Sequence, residues 1–193
     1  MRYTGYRRET SNHIWAIVII NLLVLIAVFI KPDLVHVLGL TPALVLKQPW
    51  TIVSTMFTHQ RLYHILANMV TLYFFGSFIT RLLGVKNFLL IYFCGGLVGS
   101  FFYIFLNFNP NITAIGASGA VFALGGALTV LTPKLKVIVF PIPVPMPLWV
   151  AIIGGFIIIS IIPRVAWQAH LGGLVFGLLA GLLYRKRMRT VFY

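Results

Sequence analysis

Residues 114–131 read AIGASGAVFALGGALTVL. From Ser118 to Leu131 there is no charge and no proline, so the stretch predicts an apolar helix. Such a helix would be about 21 Å long at 1.5 Å per residue, short of a hydrocarbon core of about 30 Å. It is therefore expected to begin below the membrane surface, at the foot of a loop or cavity. Gly116, Ala117 and Gly119 around Ser118 permit close backbone approach. A helix beginning there also offers unpaired N–H groups, which favour an anion beside the serine.

Working outward, the whole chain is built in this way. Of 193 residues, 60% are hydrophobic and 9% charged, and the only acids are Glu9 and Asp33. Too little polar material is present to cover a soluble domain. Six apolar spans are predicted, over 14–30, 64–83, 88–108, 118–131, 147–162 and 166–184. The chain thus reads as an all-α polytopic membrane protein and one domain over 1–193. It divides into an N-terminal segment 1–13, a core 14–184 and a basic tail 185–193. The first span follows a basic segment and imitates a signal peptide, but no small-x-small site follows it, so a retained helix is expected.

The formal charge of +13 would suggest nucleic acid if the basic residues formed a stripe among exposed aromatics. They fall instead in short flanks between apolar runs, which assigns them to lipid headgroups and topology, with no nucleic-acid partner. Eleven of them (Arg2, Arg7, Arg8, Arg81, Lys86, Lys134, Lys136, Arg185, Lys186, Arg187, Arg189) share one side if both termini do. Four (Lys31, Lys47, Arg61, Arg164) take the other. The bias predicts cytoplasmic termini, and with no targeting segment the expected setting is a prokaryotic plasma membrane. The outer connection 31–63, with Leu38, Leu40, Leu44, Leu46 and Trp50, is too long for a turn and is expected to lie partly in the interface. The lone Cys94 reads as a small packing residue.

Polar groups at membrane depth are costly, so each is a functional candidate. Spans two, four and six run in the same direction. Their starts bring His59, His64, Asn68, Ser118 and His170 to a similar depth on the outer side. His64 and Asn68 are four apart and share a helix face. A serine hydroxyl becomes a useful nucleophile when a neutral histidine takes its proton, and His170 is the candidate base. A triad would need an acid at this depth, and neither Glu9 nor Asp33 is placed there. Paired aspartates and an H-E-x-x-H motif are both missing, and three histidines without a carboxylate or cysteine make a poor metal site.

At these residues the sequence resembles the rhomboid intramembrane proteases. The carriers are Gly116-Ala117-Ser118-Gly119 as G-x-S-G, His59-x4-His64-x3-Asn68 in the second span, and Ala169-His170-x-x-Gly173 in the last. The resemblance covers 14–184. It implies a six-transmembrane-helix rhomboid bundle with a short central fourth helix, acting as a serine endopeptidase on transmembrane protein substrates in the lipid bilayer, with no cofactor and no metal. It makes Ser118 the nucleophile and His170 the general base and later acid. His64, Asn68 and the Ser118 N–H would hold the oxyanion, and His59 would support them near the cavity mouth. Three positions depart from the family's pattern: Thr51 follows Trp50 where arginine is frequent, Thr80 replaces a glutamate, and Phe122 replaces a tyrosine. Phe122 can still stack on His170.

Blander readings stand beside these. An isolated serine or histidine in a membrane helix is usually packing or interhelical glue. Gly173, Gly177 and Gly181 read as close-approach positions pressing span six on span four, and Gly95, Gly96, Gly99, Gly125 and Gly126 likewise as packing. Met69, Tyr73, Phe74 and Phe75 are expected to face lipid or core, and His13 and His36 receive no role. A silent client-binding relative or a small transporter are the competing function classes. The transporter is disfavoured because the polar residues gather in one leaflet. Neither the physiological substrate nor the oligomeric state is written in the sequence.

Overall fold

A computed structural model describes residues 11–139, 142–163 and 165–192. Arg2, Arg7, Arg8, Glu9 and Arg164, and the side chains of Arg187 and Arg189, lie outside the described residues. Among the described residues, four helices are long and apolar enough to cross a membrane: α1 (Asn12–Ile30), α4 (Leu62–Leu83), α5 (Val85–Leu106) and α8 (Trp167–Phe192) over Trp167–Lys186. Two apolar helices are shorter, α6 (Ser118–Leu131) with 14 residues and α7 (Leu148–Ser160) with 13. The short helices α2 (Leu34–Leu38) and α3 (Thr51–Ser54) fold within the connection after α1.

Local chemistry sets the boundaries. Pro32 follows the end of α1. Between α4 and α5 the chain reverses on Gly84 alone, at φ +82°, a left-handed conformation that glycine adopts without strain. Its N–H closes the end of α4 on the Thr80 carbonyl, and its carbonyl accepts the Phe88 N–H at the start of α5.

α6 packs against α4, α5, α7 and α8. Gly119, Ala120, Val121, Ala123, Leu124, Gly125, Gly126, Ala127 and Leu128 are all buried, so it is enclosed by neighbours on every side and needs no polar face. Its closest neighbour is α8. A β-carbon at Gly173 or Gly177 would strike the carbonyl of Gly119 or Ala123, and one at Gly181 would sit 2.8 Å from the Ala127 carbonyl oxygen. Three glycines at four-residue spacing therefore form a groove in α8 that seats the α6 backbone. α5 packs beside both, and a β-carbon at Gly95 of α5 would meet Ala123. Hydrocarbon offers no drive to push helices together, so this close contact gains its stability from dispersion.

The connection 31–61 is more ordered than an interfacial loop. Leu40 is buried and pairs with Ala114 through two backbone bonds of 2.9 and 2.8 Å. Trp50 donates its indole N–H to the Val37 carbonyl, and the Ser54 hydroxyl donates to that of Leu38. Leu46, at 95% exposure, projects freely. The connection between α6 and α7 also differs from a plain loop. It forms an antiparallel ribbon of β1 (Lys136–Val139) and β2 (Ile142–Pro147). The prolines of β2 hid this strand from a reading by periodicity.

Candidate active site

Ser118 is the first residue of α6, and the turn before it is held from two directions. The Thr55 hydroxyl donates to the Ala114 carbonyl at 2.7 Å, and the Thr55 carbonyl accepts the Gly116 N–H at 2.9 Å. Gly116 has φ +118°, and a β-carbon there would lie 2.6 Å from His64 Cε1. Both the backbone conformation and the neighbouring ring require glycine.

The serine hydroxyl lies 2.7 Å from Nε2 of His170. Ser118 is half-buried and His170 is 5% exposed, so the contact sits inside the protein with one open side. The Phe122 ring, one turn along α6, stacks on His170 at 4.9 Å and 29° and in turn meets Phe156 of α7 edge-on. Nδ1 of His170 is buried, and no protein acceptor reaches it among the described residues. With Nε2 facing the hydroxyl, the neutral tautomer consistent with this arrangement carries its proton on Nδ1. Backbone contacts fix the separation. The Ala169 carbonyl would lie 2.7 Å from a β-carbon at Gly99 and 3.2 Å from one at Gly119.

His59, His64 and Asn68 gather on the other side of Gly116. His59 is fully buried, and its Nε2 accepts from the Asn68 amide at 3.3 Å and from the Ala117 N–H at 3.4 Å. It is thus an internal brace for the serine loop, and its expected place near the cavity mouth is corrected. Burial, with repulsion from His64 second, pushes its pKa down to about 3. His59 is therefore a neutral acceptor. The Asn68 amide also donates to the His64 carbonyl at 2.9 Å, so both its N–H groups are engaged. The His64 ring meets His59 edge-on at 4.9 Å, lies against Gly116, and has no hydrogen bond among the described residues.

Several contributors were missed by the sequence reading. Thr55 pins the serine loop. The Ser100 hydroxyl donates to Ile52 and the Tyr103 hydroxyl to Ile112, tying α5 to the loops around the site. These residues, with Met56, Gly96 and Gly119, line a cavity of about 20 Å³ beside Ser118, room for about one water. At the opposite end, His13 hydrogen bonds to the buried Thr80 at 3.0 Å, which shows what occupies the position where the family often has glutamate. A buried threonine and a histidine at matching depth on the first two spans were the available signal.

The family model for the rhomboid domain matches residues 46–187. The chain belongs to the rhomboid family. "Rhomboid protein 1, mitochondrial" of Saccharomyces cerevisiae is 31% identical over 145 residues, covering 70% of this chain and 42% of that protein. "RHOMBOID-like protein 12, mitochondrial" of Arabidopsis thaliana is 32% identical over 156 residues, covering 70% and 46%. "Inactive RHOMBOID-like protein 8" of Arabidopsis thaliana is 33% identical over 79 residues, covering 41% and 22%. This rhomboid chain spans less than half the length of these relatives. The expected prokaryotic plasma membrane is corrected by these relatives, two of which are named as mitochondrial proteins of eukaryotes. Basic flanks report which side of a membrane a loop takes and carry no information on which membrane it is.

Proposed function

We propose that this rhomboid chain is an intramembrane serine endopeptidase of six spans, α1, α4, α5, α6, α7 and α8, in one domain with α6 as the short central helix. The observation that carries this reading is the 2.7 Å contact between the Ser118 hydroxyl and His170 Nε2. The hydroxyl attacks a substrate carbonyl as Nε2 takes its proton, and the new bond converts the carbonyl oxygen to an oxyanion. In this reading the Ser118 N–H and the His64 ring donate to it. Asn68 joins them only by giving up its bond to His59 or to the His64 carbonyl. His170 then returns the proton to the leaving amine, and the peptide bond breaks. A water entering from the open side of the site gives His170 a proton and releases the acyl group, restoring the serine.

The substrate is a transmembrane segment that can unwind locally, because a helical backbone keeps its carbonyls in hydrogen bonds. A small side chain near the cut suits the 20 Å³ space beside Ser118. Purified protein in proteoliposomes should process a transmembrane reporter, and Ser118→Ala should abolish processing. Equal processing by both would overturn the assignment. A second reading, a rhomboid that holds membrane clients without cutting them, is favoured by the similarity to an inactive relative. It predicts that wild type and Ser118→Ala both retain the reporter uncut.

A further inference from the structure

The β1–β2 ribbon plays no part in the proposed chemistry, and its composition is unusual for a surface hairpin. It leaves α6 at the end opposite Ser118, the end that also carries Arg81, Lys86 and Arg185. Near its base, Leu135 and Val137 pack on the bundle core. Farther out, Ile138 and Val144 are 66% and 60% exposed, and Val139 is exposed too. Lys134 and Lys136 are exposed beside the base, and β1 and β2 contain no acidic residue.

The backbone of β2 is equally specific. Leu148 donates to the Leu135 carbonyl, and Lys136 lies opposite Pro147 in the register. The register shifts between Val137 and Val139, so regular pairing covers only the base of the ribbon. Three of the six residues of β2, Pro143, Pro145 and Pro147, have no N–H. β2 is therefore poor in donors. An added strand would find few N–H groups to bond along it, which argues against a protein partner pairing there. At the boundary of headgroups and acyl chains, by contrast, a strand poor in donors limits the cost of unpaired N–H groups.

We propose that the β1–β2 ribbon is an interfacial anchor for anionic phospholipids. Lys134 and Lys136 hold the headgroups, and Ile138 and Val144 enter the acyl layer. Basic side chains beside a membrane surface favour anionic lipid by about five-fold per lysine, and their long stems let the charge stay at headgroup level.

The test places an environment-sensitive fluorophore at Val144→Cys, with Ile138→Cys as a second reporter, each in a Cys94→Ala background. Each labelled chain is checked against wild type by thermal midpoint. The protein is reconstituted in phosphatidylcholine alone or mixed with phosphatidylglycerol, with the bromines carried on one lipid or the other. Brominated acyl chains of both lipids should quench both reporters, and phosphatidylglycerol should be preferred. Lys134→Gln and Lys136→Gln should each lower that preference about five-fold while leaving quenching by phosphatidylcholine intact. Quenching by aqueous iodide in place of bromolipid would overturn insertion, as expected for a soluble partner or none. A preference untouched in the double lysine variant would overturn the headgroup assignment.

Discussion

His59 has no free surface, and its one accepting nitrogen is shared by the Asn68 amide and the Ala117 N–H. Protonation would turn that nitrogen into a donor and break both contacts. Because its folded pKa lies near 3, below the ordinary 6.5, the unfolded chain takes up the proton first as pH falls. Stability contributed by neutral His59 is thus fully present above about pH 6.5 and declines toward pH 3, by up to about 1.4 kcal/mol per pH unit. Thermal midpoints in detergent should fall on acidification, and more gently in His59→Gln. An equal slope in that variant would contradict the bracing role. His64 is expected to act differently. Its ring has no hydrogen bond among the described residues, so His64→Ala should lower kcat by about 10²–10³ with the midpoint little changed. Sequence reasoning identified both histidines by their cost at membrane depth. It could not separate brace from donor, because that depends on which nitrogen Ala117 reaches across 58 residues.

α6 and α8 form the element pair that fixes the serine and histidine, and their glycines are not equivalent to those of α7. Gly177 lies against the Ala123 carbonyl, whereas a β-carbon at Gly154 or Gly155 would meet nothing within 4 Å. Gly177→Val should therefore cost about 1–3 kcal/mol or more and reduce activity by widening the dyad. Gly154→Ala should be neutral or stabilise by about 0.5–1 kcal/mol through helix propensity. Midpoints for the two variants check the contrast, and similar losses in both would contradict it. The spacing of Gly173, Gly177 and Gly181 made the α8 groove legible, since four-residue steps place small residues on one face. α6 was legible as a helix from its lack of charge and proline. β2 was not, because three prolines remove the alternating pattern by which a strand is read, and its pairing with β1 appears only in the folded chain.

At the scale of the molecule, the starts of α4, α6 and α8 meet on one side, and the basic residues Arg81, Lys86, Lys134, Lys136 and Arg185 collect on the other. This division was readable because helix direction alternates along the chain and charge marks the ends. Hidden from the sequence was how the connection 31–61 closes over the site, through Leu40 on Ala114 and Thr55 on Gly116. Those contacts join segments more than fifty residues apart and have no local signature. The central claim is that His170 activates Ser118. It is tested most directly by treating the folded, membrane-reconstituted protein with a fluorophosphonate and locating the adduct by mass spectrometry. The account predicts phosphonylation at Ser118 in wild type and its loss in His170→Ala. An unlabelled Ser118 in wild type, or equal labelling without His170, would contradict it.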